Sequence, residues 1–311
     1  MNSISEVGGG VYRVDTGYHR PLFDAAYLIV EDGAAAFVDC GANHSVPRLM
    51  EALEKHGLQP PDVKWLMLTH IHLDHAGGAG RLLVECPEAQ LLVHPRGVRH
   101  MSDPSRLEAG VRAVYGDAAY DELYGSLLPV NADRITAAED GLSVDLNGRE
   151  IQVMDTPGHA RHHVCFLDET SASVFTGDTM GVAYPELTVD NEPFVFPPSS
   201  PVDFDAEAWH GSVEKLGHSG MKNFCLTHYG CVANTQRLVA AMHRRIDDFN
   251  ALALKTPPES LKPKLAEYLL DEVKKHGCRL PDEEILSILA LDIDLCAQGL
   301  IVWRDRLHPN H

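Results

Sequence analysis

Short apolar runs broken by turn dipeptides dominate the first 230 positions, and a longer helical rhythm takes over after them. Runs at 11–14, 26–30 and 34–38 predict strands, the last two joined through the hairpin pair Asp32-Gly33. Further strands are predicted at 64–69, 91–94, 142–146, 150–154, 164–167, 173–176 and 224–227, with Asn147-Gly148 as a second hairpin turn. A helix follows the third strand, with Ser45 as N-cap, Pro47 in its first turn, apolar Leu49, Met50 and Leu53, and Gly57 as its stop. Residues 95–124 read as a helical insertion, either a lid or simply packed helices, and 205–216 as another helix. A loop rich in proline and aromatic residues spans 184–201. Beyond Asn234, helices are predicted at 238–249, 261–276 and 282–307, separated by Pro257-Pro258 and by 277–281. The last is apolar around most of its girth, so it must be covered by its own domain or by a second subunit.

Composition narrows the class. A chain of 311 residues with 44% hydrophobic residues suits one large domain, or one domain with an appendage. A formal charge of −19 repels phosphate backbones, so no nucleic-acid partner is expected. The first residues have neither a basic region nor an apolar core, so no signal peptide is expected. No run approaches a membrane span, and the expected location is the cytoplasm. Seven cysteines without CxxC spacing argue against a disulfide framework. Cys40, Cys225 and Cys231 are read as small buried hydrophobes.

The candidate chemistry sits where strands end. Thr69-His70-Ile71-His72-Leu73-Asp74-His75 follows an apolar run and precedes Ala76-Gly77-Gly78. His70 and His72 share a direction if the backbone is extended, while Asp74 and His75 can swing to a second position once it turns. Neutral imidazoles and carboxylates are ligands that zinc, iron(II) or manganese(II) accept. Other predicted strands end at Asp39, at His159, at Asp178 and at His228. Five histidines and two carboxylates delivered along a common sheet edge are enough for two metal ions.

Taken together, Thr69-His70-x-His72-x-Asp74-His75, Thr156-Pro157-Gly158-His159, Thr176-Gly177-Asp178-Thr179, Thr227-His228 and the early Asp39 resemble the metallo-β-lactamase superfamily. The likeness runs from about residue 10 to 235, nearest the glyoxalase II and lactonase branches. It implies an α+β fold, a four-layer αβ/βα sandwich over 1–235, followed by a C-terminal helical extension over 236–311. It also implies that His70, His72 and His159 hold one ion, that Asp74, His75 and His228 hold the other, and that Asp178 bridges them. Asp39 would orient a ligand imidazole without touching metal. His163 keeps the offset of a later family histidine, as a substrate contact or as a structural hydrogen-bonder.

The resemblance leads to a hydrolase of a small ester, lactone or thioester, acting through a hydroxide bridging two divalent ions, zinc before iron or manganese. Asp74 and Asp178 are the catalytic carboxylates of that reading. Tyr18, His19, Phe23, Tyr184, Phe194 and Phe196 are candidate substrate contacts, with ordinary packing as the alternative for each aromatic. The expected partner is a small-molecule substrate, with no membrane and with a homodimer as an option for the last helix. Two other readings are a mononuclear iron dioxygenase of the persulfide dioxygenase type and a ligand-sensing protein with a vestigial hydrolase site.

Overall fold

The structure, a computed structural model, describes residues 3–199 and 204–307. Residues 1 and 2 of the N-terminal stretch, and the end of the 184–201 loop, lie outside them. Two sheets carry the described strands. The first has seven strands in the order β1 (Ile4–Gly8), β2 (Val11–Asp15), β3 (Ala25–Glu31), β4 (Ala34–Val38), β5 (Val63–Met67), β6 (Gln90–Val93) and β7 (Ile135–Ala137). Pairing is antiparallel from β1 to β4 and parallel from β4 to β7. The second sheet joins, in order from one edge, β13 (Gly230–Ala233), β12 (Asn223–Leu226), β11 (Ser173–Gly177), β10 (Val164–Asp168), β9 (Arg149–Asp155) and β8 (Ser143–Leu146).

Both faces of the central strands are buried, which is why β3 and β4 read as unbroken apolar runs. With a side-chain period of two, Ala26, Leu28, Ala35 and Phe37 face one core while Tyr27, Ile29, Ala36 and Val38 face another. The first core is closed by Leu49, Ala52 and Leu53 of α1 (Val46–Lys55) and by Leu82 and Leu83 of α3 (Ala79–Glu85). The second lies between the sheets, where Ile151, Val153, Phe166 and Phe175 meet Tyr27, Met67 and Leu92. The short α2 (Leu73–Ala76) sits between β5 and α3. The insertion between β6 and β7 holds α4 (Val98–Ser102), α5 (Ser105–Tyr115) and α6 (Asp117–Leu123). Its Tyr124 hydroxyl meets that of Tyr18 at 2.6 Å, with both rings buried.

Sheet direction explains where the chemistry goes. In the first sheet β4, β5 and β6 are parallel, so Asp39, Thr69-His70 and His94 follow ends on one edge. In the second sheet β9, β11 and β12 share a direction, because β10 is antiparallel to β9 and β11 while β11 and β12 are parallel. The chain therefore leaves one edge of that sheet towards His159, Asp178 and His228. Hydrogen bonding from Thr227 to Asp39 at 2.9 Å, and an ion pair between His94 and Asp155 at 3.4 Å, bring the two edges together.

The chain divides into two compact units. One holds both sheets: residues up to Asp155, His162–Gly177 and Met221–Cys231. The other gathers Thr156–Arg161, Asp178–Gly220 and the chain from Val232 onward. It contains α7 (Ala206–Gly217), α8 (Gln236–Lys255), α9 (Pro258–His276), α10 (Asp282–Ile288) and α11 (Ala290–Leu307). The single helix expected over 282–307 is two, bent by 61° around Leu289. No glycine or proline marks the bend; both halves pack against α9, so tertiary contacts set it. The apolar face of α11 is covered within this unit: the helix packs against α8 and α9, and Ile293, Cys296, Ala297 and Leu300 are buried, Cys296 against Pro197 and Ser199. Among the described residues no single helix is long and apolar enough to cross a membrane. Three strands were not expected from sequence: β1, β7 and β13 are short edge or near-edge strands recruited by backbone pairing, without a strong apolar alternation.

Candidate metal centre

Asp39 is the hub of the first unit. The chain turns there with a positive φ of 55°, directing the carboxylate beneath the histidine loop. Oδ1 accepts the Thr69 backbone N–H at 2.8 Å; Oδ2 accepts the Thr69 hydroxyl at 2.8 Å, the Thr227 hydroxyl at 2.9 Å and the His75 Nδ1–H at 2.8 Å. One buried carboxylate thus fastens together the segments that follow β4, β5 and β12.

That bond decides the state of His75. A carboxylate only accepts, so Nδ1 carries the proton and a neutral ring presents its lone pair at Nε2. His228 is fixed in the same way by a different acceptor, its Nδ1–H donating to the Phe23 carbonyl at 2.9 Å. Both Nε2 atoms face a single oxygen: Asp74 Oδ2 lies 3.3 Å from His228 Nε2 and 3.9 Å from His75 Nε2. When both imidazoles are neutral, their Nε2 lone pairs and that carboxylate oxygen form a donor set that suits a divalent cation. Ligand atoms of Asp74, His75 and His228 all lie within 4.8 Å of one another, close enough to share one ion. Both imidazoles are buried, whereas the Asp74 side chain is 24% exposed and is the member that can meet solvent or substrate.

His70 and His72 are also brought together, with His70 Nε2 2.8 Å from His72 Nδ1. The backbone of His72 is extended, as the N-cap of α2, which lets both rings look the same way. His163 is fully buried, its ring stacked on His70 at 5.0 Å between centroids. It offers no surface to a substrate and lies instead against Gly177 and Thr69.

In the second unit His159 and Asp178 form their own pair, His159 Nε2 lying 3.3 Å from Asp178 Oδ2. The tautomer is again pinned from behind, by the Pro198 carbonyl 2.6 Å from Nδ1. Trp209 packs edge-on against this imidazole at 5.7 Å and donates its indole N–H to the Thr179 carbonyl at 2.7 Å. Gly158 is required beside it: its φ is +143°, and a Cβ would come within 2.4 Å of Trp209.

Other expectations are corrected. Tyr184, Phe194 and Phe196 are fully buried in the second unit and do not line an open cleft. The Tyr184 hydroxyl donates to Asp292 at 3.0 Å, and the Arg245 guanidinium sits 4.1 Å from the centre of the Phe194 ring. Apolar rings in a proline-rich loop serve as its core. Cys225 and Cys231 are not independent hydrophobes; they form a disulfide across the turn that carries His228. Cys40 does remain a buried thiol, donating to the His75 carbonyl at 3.2 Å, with burial pushing its pKa up.

Asp24 is a residue that strand-end reasoning missed. It is buried, and its Oδ2 accepts the Thr16 hydroxyl at 2.8 Å. Burial raises its carboxyl to about 7, against the opposing pull of His228 and His75.

A family model described as the metallo-beta-lactamase superfamily matches residues 19–228. Among curated relatives, a hydroxyacylglutathione hydrolase of Xanthomonas axonopodis is 29% identical over 299 residues, covering 92% of this chain and 96% of the relative. The metallo-beta-lactamase fold-containing protein ST1585 of Sulfurisphaera tokodaii is 27% identical over 59% of this chain and 67% of its own length. The solved archaeal structure of ST1585 superposes with a TM-score of 0.65 at 20% identity, over 94% of this chain and 98% of that one. A metallo-beta-lactamase family protein of Thermus thermophilus gives 0.62 at 20% identity, over 92% and 95%. These likenesses in shape agree with an α+β sandwich that carries a C-terminal helical region.

Proposed function

Starting from the fact that this chain belongs to the metallo-β-lactamase superfamily, we propose that it is a hydrolase of a small ester, lactone or thioester that works with two divalent metal ions. His70, His72 and His159 would hold one ion, Asp74, His75 and His228 the other, and Asp178 would lie between them. The observation that carries this reading is the pinning of His75 and His228 from behind, so that two Nε2 lone pairs and the Asp74 carboxylate converge in one buried place. A carboxylate or carbonyl behind each ligand imidazole is the arrangement that fixes histidine tautomers around a metal. Zinc suits this mixed nitrogen and oxygen donor set, and iron or manganese also fits it.

Bound there, divalent ions supply Lewis acidity and bring the pKa of water towards about 7. The protein's own contribution is positional. Asp39 holds the His75 loop against the ends of β4, β5 and β12, so the donors need little rearrangement on binding. Asp74, the partly exposed carboxylate, is placed to carry a proton towards a leaving alcohol or thiol. The full-length match to a hydroxyacylglutathione hydrolase supports a thioester as the first substrate to try.

The test is metal quantitation on purified protein, combined with a panel of thioester, lactone, ester, phosphodiester and β-lactam substrates. Two ions per chain and turnover of an acyl substrate, both lost in Asp178→Ala, are expected. One iron per chain with oxygen uptake would overturn the proposal in favour of dioxygenase chemistry. Loss of all hydrolysis without loss of the cellular role would favour the sensing reading.

A further inference from the structure

One covalent link in the sheet unit has no part in the chemistry above. Cys225 of β12 and Cys231 of β13 form a disulfide six positions apart, with His228 midway between them. Cys40, Cys86, Cys165, Cys278 and Cys296 are buried free thiols. A chain stapled for stability pairs most of its cysteines, so this single bridge is not a framework. It closes instead around one candidate ligand.

The turn inside the bridge is held unevenly. Before His228, β12 pairs with β11, and the Leu226 carbonyl accepts the Tyr27 hydroxyl at 2.6 Å. The Thr227 hydroxyl donates to Asp39 at 2.9 Å, and its carbonyl accepts the Ala25 N–H at 2.9 Å. After His228 the anchors are weaker. The Tyr229 hydroxyl reaches Asp15 only at 3.4 Å, and the Arg13 guanidinium stands 4.5 Å from the centre of its ring. Gly230, with a φ of +83°, then turns the chain into β13, a four-residue strand at the sheet edge. The bridge is therefore the firmest tie on the far leg of the turn. Cys225 is fully buried and Cys231 is partly exposed, so a small thiol approaches from the Cys231 side.

The geometry points to a thiol–disulfide switch: the closed Cys225–Cys231 bridge holds His228 in position to ligate, and its reduction by a low-molecular-weight thiol loosens the ion of Asp74, His75 and His228. The switch rests on the ligand reading given above. A thiolate attacks the Cys231 sulfur, the S–S bond breaks, and Cys225 leaves as a thiolate. A second thiol then attacks the small-molecule sulfur of the mixed disulfide, releasing Cys231 and a small-molecule disulfide. Two thiols are oxidised, and the bridge takes up their two electrons and two protons. Once open, the turn gains conformational freedom that binding an ion has to remove again. The Phe23 carbonyl still sets the His228 tautomer, so affinity falls about tenfold and is not abolished. The ion of His70, His72 and His159 has no ligand on this turn and keeps its affinity.

The experiment titrates zinc against a competing chelator in three forms of the full-length protein. One is oxidised with oxidised glutathione, one is reduced with glutathione that is then removed without air, and one is Cys231→Ser. One of the two ions is expected to bind about tenfold more weakly in the reduced protein and in the variant, with the other unchanged. Reoxidation should restore the wild type and not the variant. Equal affinities in oxidised and reduced wild type would overturn the switch, as would free thiols at both cysteines by mass spectrometry after the oxidising step. Both comparisons stand if the variant fails to fold. Amide hydrogen exchange over residues 226–231 of the zinc-free protein, expected about tenfold faster once reduced, separates the two readings. No zinc in any form, with exchange still dependent on redox state, would overturn the catalytic reading and with it the ion's part in the switch. Exchange indifferent to reduction would overturn the clamp itself.

Discussion

Replacing Asp39 by asparagine tests the hub with almost no change in volume. The Thr69 backbone N–H has no alternative acceptor in its present position, so the amide oxygen should stay where Oδ1 is now, 2.8 Å from it. The new NH2 group then replaces Oδ2 and faces the Thr69 and Thr227 hydroxyls and His75 Nδ1. Hydroxyls can rotate to accept. Imidazole can accept at Nδ1 only by moving its proton to Nε2, the nitrogen that faces Asp74. The nitrogen meant for a metal ion becomes a donor. Loss of a partner of this kind weakens metal binding about 10–100-fold, or ~1.4–2.8 kcal/mol. Asp39→Ala goes further, leaving the Thr69 N–H, two hydroxyls and His75 Nδ1 without their buried acceptor. Such losses do not add, and about 3–5 kcal/mol of folding stability is expected to disappear. Chelator competition measures the first effect and urea unfolding the second. Imidazole nitrogen-15 NMR of zinc-free Asp39→Asn reads the tautomer directly. An asparagine variant that binds zinc as tightly as wild type, with His75 still protonated at Nδ1, would refute the reasoning.

Three further predictions bear on the scaffold. Arg149, 1% exposed, makes a two-pronged ion pair with fully buried Asp168, so Asp168→Ala should cost about 3–5 kcal/mol in urea unfolding; a loss under ~1 kcal/mol would show that Glu31, 3.3 Å away, suffices alone. Gly177 has a φ of +48°, and a Cβ there would lie 2.6 Å from His163 Nε2 and 2.7 Å from Thr69 Oγ1, both buried; Gly177→Ala should lose about 2–4 kcal/mol by the same measurement and weaken metal binding, and a neutral result would contradict the packing. For Asp24, a carboxyl raised from 3.8 to about 7 favours its proton in the folded state. Wild type, with its ions chelated, should therefore lose on the order of 4 kcal/mol relative to Asp24→Asn as pH rises from about 4 through 7, and no more above it. A difference that does not change over that range would refute it.

The legible parts of this molecule are those written in side chains at fixed offsets. Alternating apolar runs announce β3, β4 and β5, and the residues that follow strands carry the candidate ligands His70, His72, Asp74, His75, Asp178 and His228. What stayed hidden is mostly backbone. Carbonyl oxygens of Phe23 and Pro198 set the tautomers of His228 and His159, and any residue at those positions would present the same group. The threonines ahead of His70 and His228 were visible as motif letters, but their shared acceptor Asp39 is a fact of three strand ends meeting. Asp24 follows Phe23 in a loop without periodicity, so nothing nearby marks it as buried. The Cys225–Cys231 bridge has a six-residue separation that matches no metal or redox spacing, and β13 is too short to predict the turn that brings the sulfurs together. Tyr184, Phe194 and Phe196 show the opposite error: a loop rich in aromatics suggests a binding wall, and here its rings bury one another.

The account rests on histidines and carboxylates from separate strand ends binding two cations in common. Anomalous diffraction at the zinc edge, from crystals of the zinc-loaded protein, tests that directly. Two peaks are predicted, one touched by His70, His72 and His159 and the other by Asp74, His75 and His228, with Asp178 reaching both. Absence of density at Asp74, His75 and His228, or His159 and Asp178 turned away from both ions, would contradict it.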